Sequence, residues 1–324
     1  MNNKRIVWVD YAKILGLITV IFAHLYTIKG TGEDNVIRTY IYGFHMPFFF
    51  FISGCLFKER IHGFKEAVVR NIKSLLVPYI VFNIIFAIVY GIVDGNVIQR
   101  LITIPLHWAK GEGNACKASW FVICLFNIKM IIDVLYYKKT LYLGISIIFI
   151  LSLAIVYSGF RHNWLFCSST IFGSVFYFLG MMGLRFLRKI HLLPWLVLGV
   201  SIGFFLISFF LTQYNGKVYM YGADTGNSWI VFYLNSMVGS IGIIFLGMMF
   251  KKERPFVVLL SNSSLGIVLL HMGLVDLFKA HLVQFTNSYI FFLLSLVVSL
   301  LIYCVCSFLY QKSMKYVPFI WGKF

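Results

Sequence analysis

Ten apolar segments follow one another along 324 residues, at about 8–28, 36–57, 74–93, 119–136, 140–158, 166–187, 192–212, 228–250, 257–279 and 287–311. Each is close to the roughly 17 to 25 residues that a helix needs to cross a bilayer. Within hydrocarbon every backbone N–H and C=O must be paired inside the segment, so runs of this kind fold as helices. The expected fold is therefore all-α, a polytopic integral membrane protein of about ten transmembrane helices. Only 12% of the residues are charged, and the mean hydropathy of +0.87 agrees with that class. The longest connection, about residues 94–118, is too short to bury a core of its own. Residues 1–324 thus read as a single membrane-embedded domain. Asp10 and Lys13 interrupt the first segment and no small-residue cleavage site follows it, so it does not read as a cleaved signal peptide.

Basic residues test the layout, because short cytoplasmic loops carry an excess of Lys and Arg. With the N-terminus inside, the inner segments hold Lys4, Arg5, Lys58, Arg60, Lys65, Arg70, Lys73, Lys138, Lys139, Arg185, Arg188, Lys189, Lys251, Lys252, Arg254, Lys312, Lys315 and Lys323, which makes 18. The outer segments hold Lys29, Arg38, Arg100, Lys110, Lys117, Arg161, Lys217 and Lys279, which makes 8, while Lys13 and Lys129 lie within spans. This bias places both termini in the cytoplasm. It also accounts for the net charge of +17 without a nucleic-acid partner.

Ionisable residues inside spans are costly in hydrocarbon and point to function. The first span, "IVWVDYAKILGLITVIFAHLY", carries Asp10, Lys13 and His24. At 100° per residue, Lys13 and His24 lie about 20° apart around the helix, Asp10 lies within about 60° of both, and about 16 Å of axis separates Lys13 from His24. One stripe facing the bundle therefore holds a carboxylate and an ammonium near its cytoplasmic end and an imidazole in the outer half. In "FHMPFFFFISG", residues 44–54, Pro47 cannot continue a helix through its preceding turn, so the second segment should break near His45 and restart with Pro47 in its first turn. Such a break is tolerated at membrane depth only where protein or a polar cavity covers it, which makes His45, Pro47, Ser53 and Gly54 a candidate site wall. His271, in "SNSSLGIVLLHMGLV", also falls in the outer half of its span. Three histidines from three segments are thereby expected in one leaflet.

Other features carry less. Cys116 and Cys167 fall in or beside outer loops, where an oxidising compartment would let them meet. His107, His162 and His281 are scattered and lack ligand spacing, so no metal is expected. No internal repeat is visible, which weighs against the commoner transporter architectures.

With these residues in place, "RIVWVDYAKILGLITVIFAH" resembles the N-terminal signature of the integral membrane acyltransferase family 3, in which Arg or Lys precedes a histidine by eleven positions. "FHMPFFFFISG", "LLVPY", "SWFVICLF", "GNSWIVFYLNSMVGSIG" and "NSSLGIVLLH" follow in the order of its fucose 4-O-acetylase-like branch. The resemblance covers essentially the whole chain. It implies transfer of an acyl group, usually acetyl from acetyl-CoA, to a hydroxyl of a cell-envelope polysaccharide or lipid-linked sugar. Lys13 and His24 carry the first motif, and His45, Pro47, Ser53 and Gly54 the second. Many relatives have Arg where Lys13 stands, so this chain would grip a phosphate as a point charge, without a planar fork.

The chemistry that would follow runs through a few side chains. Acyl-CoA is anionic and cytoplasmic, so Lys13, Arg60, Arg70 and Lys73 are its expected contacts, with Asp10 positioning Lys13. His24 is the expected general base towards the sugar hydroxyl, with His45 or His271 stabilising the oxyanion or orienting it. An acyl-histidine relay is the other route. The expected location is the cell membrane, with a cytoplasmic donor, an outer acceptor, membrane lipid around the spans and no metal. A transporter or flippase for a lipid-linked sugar or small anion shares these helices and is the alternative class.

Overall fold

The computed structural model describes residues 5–26, 35–58, 63–158, 163–190, 192–282 and 288–323, with side chains described except at 280–282 and 288. Among these residues all long elements are helices, and one antiparallel bridge, Tyr219 with Asp224, is the sole strand-like pairing. In chain order the α-helices are α1 Val7–Leu25, α2 Val36–Tyr42, α3 His45–Cys55, α4 Phe64–Asn71, α5 Val77–Asp94, α6 Val97–Lys110 and α7 Ser119–Tyr137. There follow α8 Leu141–Ser158, α9 Cys167–Leu187, α10 Pro194–Asn215, α11 Trp229–Met248, α12 Pro255–Asn262, α13 Ser264–Leu282 and α14 Ser288–Tyr316. A π-helical turn, Ile72–Leu76, joins α4 to α5. Among the described residues eight helices are long and apolar enough to cross a membrane, and α12 with α13 passes the same test jointly across a 65° bend. The chain is an all-α polytopic membrane protein.

The helices form two compact units, one of residues 1–52, 182–218 and 225–310, the other of residues 53–181, 219–224 and 311–324. In the first, α1 packs against α2, α11, α12 and α13. Val9, Ala12, Leu17, Val20, Ile21 and Leu25 of α1 are all buried. Because lipid is as apolar as leucine, helices associate in a membrane through close packing and interhelical hydrogen bonds. Gly16 of α1 accordingly leaves room for the Phe48 ring of α3. Across α10 and α11, Ser201 Oγ donates to Gly242 O at 2.8 Å, Ser208 Oγ to Asn235 Oδ1 at 2.7 Å and Asn235 Nδ2 to Thr212 Oγ1 at 2.9 Å.

The break expected at Pro47 is present. α2 ends at Tyr42, Gly43 and Phe44 turn, and α3 begins at His45 with Pro47 in its first turn. The carbonyl left at Gly43 accepts from Ser236 Oγ at 2.9 Å, so the protein covers what lipid cannot satisfy. The second apolar segment is therefore two short helices of 7 and 11 residues, which is why fewer than ten unbroken spans appear. The segment expected at 257–279 is also interrupted, at Ser263. Serine hydroxyls bond to their own backbone and compete with the helix ladder, and here Ser263 Oγ donates to Leu259 O at 3.0 Å. Within the connection 94–118 an unexpected helix, α6, shows Ile98, Ile102 and Leu106 exposed on one stripe at 74, 61 and 53%. Spacing of four residues puts them on one face, as lipid contact requires.

In the second unit, Asn71 Nδ2 donates to the buried Asp133 at 2.8 Å, and Asn83 Oδ1 accepts from Cys116 N at 3.2 Å and Ser119 Oγ at 3.3 Å. Neither Cys116 nor Cys167 is in a disulfide among the described residues; the first is buried and the second exposed. Burial pushes the Cys116 thiol up to about 12, against an ordinary value near 8.5. The folded chain thus keeps a proton that the unfolded chain gives up, and stability falls as pH climbs from about 8.5 towards 12. At pH 8 a charged, membrane-impermeant maleimide should modify Cys167 and spare Cys116 until the chain is denatured. Equal labelling of the two in the native protein, read by mass spectrometry, would contradict this packing.

Candidate active site

Two polar centres lie on α1 in the first unit, about 21 Å apart along its axis for the fourteen positions between Asp10 and His24. At the first, Asp10 is 5% exposed. Its carboxylate accepts from Arg5 Nε at 2.5 Å, Arg5 Nη2 at 3.1 Å and Ser261 Oγ at 2.6 Å, with Lys13 Nζ at 3.7 Å. Lys13 Nζ also donates to Ser261 O at 3.2 Å, and Arg5 Nη2 to Asn262 Oδ1 at 3.0 Å. The last carbonyls of a helix lack partners and form the negative end of its dipole. Lys13 and Arg5 supply cations to that end of α12, beside its bend. Lys13 and Asp10 are brought together as expected, whereas Arg5 had been counted only as a topology charge. Its carboxylate partner Asp10 is only five positions away, but the partner that ties it to α12, Asn262, lies 257 positions away.

The second centre gathers the three histidines. The ring centres of His24 and His271 lie 5.5 Å apart, and Tyr42 stacks obliquely on His45 with ring centres at 4.8 Å. Tyr42 Oη is 3.1 Å from His24 Nδ1 and accepts from Arg38 Nη2, also at 3.1 Å. His45 and His271 are 5 and 2% exposed, while His24 is half-buried.

Main-chain partners settle the protons on two of the rings. His45 Nδ1 faces Ile41 O at 3.0 Å, and His271 Nδ1 faces Ile267 O at 2.8 Å and Val268 O at 3.0 Å. A carbonyl only accepts, so each Nδ1 carries the proton and each neutral ring keeps its lone pair on Nε2. His271 Nε2 is buried and has no hydrogen-bond partner among the described residues. Arg38 and Tyr42 were missed as site residues. Arg38 had been assigned to an outer segment, yet it is 8% exposed. The spacing of four between them on α2 was a signal that the break after Tyr42 obscured.

The remaining expected residues lie elsewhere. Pro47 occupies the first turn of α3, where its missing N–H is no loss. Ser53 and Gly54 end α3 in the second unit, with Gly54 against the Tyr177 backbone of α9. Arg70 and Lys73 are exposed on α4 and the π-turn of that unit. Arg60, His162 and the side chain of His281 lie outside the described residues.

Three imidazoles, a phenol and a guanidinium in one apolar setting can hold and pass a proton and stabilise an anionic oxygen. A family model described as an acyltransferase domain, that of acyltransferase family 3, matches residues 6–310, which include the histidine centre and all of the Asp10 centre except Arg5. No curated protein and no solved structure matches the chain.

Proposed function

The chain belongs to acyltransferase family 3, and on that premise we propose that it is an O-acetyltransferase of the fucose 4-O-acetylase-like branch. It takes acetyl from cytoplasmic acetyl-CoA to a hydroxyl of an envelope polysaccharide or lipid-linked sugar, in the cell membrane and with both termini inside. A membrane acyltransferase needs a proton-handling site within its spans. The observation that carries the reading is the histidine centre, in which the half-buried His24 stands 5.5 Å, ring centre to ring centre, from the buried His271. His24 meets the reacting groups, His45 and His271 complete the centre beside it, and acyl transfer through these side chains calls for no metal. Arg5 and Lys13, with Asp10 as their carboxylate, leave one positive charge for the CoA phosphates at the other end of α1, and by charge alone Arg60, Arg70 and Lys73 are further candidate phosphate contacts. Pro47, Ser53 and Gly54 shape α3.

Acetyl-ester content of the host's surface glycan, measured by NMR, tests this. Cells making the wild-type chain should carry the esters, and cells making equal amounts of folded His24→Ala should lack them. Esters that persist in the variant would remove His24 from the chemistry. A wild type without esters, whose deletion strands a sugar lipid on the inner leaflet, would put a transporter in the enzyme's place.

A further inference from the structure

We propose that Arg38 and Tyr42 are positioning residues that hold His24 with its ring proton on Nε2, so that His24 meets the acyl group as a hydrogen-bond donor and His271 accepts the proton. The tautomer stands on geometry alone; its use in acyl transfer rests on the function proposed above.

His24 differs from its neighbours in what faces its Nδ1. His45 and His271 offer Nδ1–H to carbonyls, but His24 Nδ1 faces a hydroxyl, which can donate or accept. Arg38 decides between the two. Its guanidinium, always charged and only a donor, bonds Tyr42 Oη from one side, with its central carbon 4.9 Å from the Tyr42 ring centre. A cation at that oxygen polarises the O–H, so the hydroxyl proton is directed onto His24 Nδ1. The reverse arrangement would aim two N–H groups at one oxygen beside a fixed positive charge, in surroundings where charge interactions are strong. Taking up a proton at His24 would place a second cation two bonds along the same chain. His24 is thereby set against acting as a base, and its proton lies on Nε2, the ring nitrogen away from Tyr42.

His271 supplies what His24 then lacks. Its lone pair on Nε2 is fixed by two main-chain carbonyls, which would equally support an imidazolium, and it is buried beside His24 with no hydrogen-bond partner among the described residues. A buried polar atom left unmatched is expensive, and a substrate hydroxyl reaching past His24 would match it. The acceptor oxygen attacks the thioester carbonyl carbon and forms the C–O bond while its proton passes to His271 Nε2. His24 Nε2–H holds the carbonyl oxygen as it gains charge. Collapse breaks the C–S bond, and His271 returns the proton to the departing sulfur, which leaves ester and thiol.

The test has two arms. In the full-length chain labelled with [15N]histidine, the His24 resonances, assigned by their loss in His24→Gln, should show the proton on Nε2, opposite to His45 and His271. Tyr42→Phe should convert His24 to a mixture of tautomers. A wild-type His24 protonated on Nδ1, or a Tyr42→Phe spectrum unchanged at His24, overturns the proposal. The second arm uses labelled acetyl-CoA and host membranes. A glutamine amide can donate from near the place of Nε2 but cannot act as a base. His24→Gln should therefore stay within about tenfold of wild type, while His24→Ala and His24→Asn fall by about 10² to 10³, as loss of one oxyanion donor does. Folded His24→Gln as inactive as His24→Ala would refute the donor role. If the wild type makes no ester, the acetyltransferase reading falls and the resonances still decide the tautomer.

Discussion

A chain carrying Gly54→Ala is expected to lose most of its folded population, to the point that little monodisperse protein is recovered in detergent. Gly54 near the end of α3 lies against α9 with no side chain between them, and a methyl group there would run into the Tyr177 carbonyl and crowd Met181 N. Those are backbone atoms of a helix, so no rotamer change relieves the clash and the helices must separate. Overpacking a well-filled interior typically costs about 1 to 3 kcal/mol, and a backbone collision belongs at or beyond the top of that range. Against a total stability of roughly 5 to 15 kcal/mol, the loss is large. Thermal unfolding of the purified variant measures it. A melting temperature equal to wild type would show that α3 and α9 are not in contact at this point.

Replacing Asp10 with asparagine should destabilise the first unit by about 3 kcal/mol, because removing one partner of a buried ion pair leaves the other charge uncompensated. Two charges are left here. Lys13 and Arg5 have side chains 17 and 32% exposed, and both are held against the carboxylate. Water screens Arg5 in part, so the cost falls mainly on Lys13. The double variant Asp10→Asn, Lys13→Met should consequently recover a substantial part of the loss, since it removes the stranded ammonium along with its partner. Unfolding of the two single variants and the double one completes the cycle. If the double variant is less stable than Asp10→Asn by the full cost of Lys13→Met alone, the two residues are not coupled and the ion pair is incidental.

Much of the candidate site was legible in the sequence because its signals are local. Asp10, Lys13 and His24 share a helical stripe by simple periodicity, and Pro47 forces its break wherever the rest of the chain goes. Arg5, Ser261, Arg38 and Tyr42 were not legible. Arg5 reads as a topology charge until Asn262 is beside it, and Ser261 as a polar residue in a serine-rich stretch. Gly54 shows the same limit in another form. It lay in a motif suggestive of a site wall, but its lack of a side chain is explained by a neighbour 123 positions later, Tyr177.

Hydrocarbon as solvent leaves a chain few choices, which is why the sequence by itself determined a helical membrane protein, its approximate spans and the interruption before Pro47. Each of these follows from pairing backbone groups within one segment. Tertiary structure decided the rest: the bend at Ser263, the cations that cover the end of α12, and the partner of each imidazole nitrogen. The cations reach α12 across about 250 positions, which leaves no periodicity to read, and the bend and the ring partners depend on side-chain rotamers and helix breaks that residue spacing alone does not set.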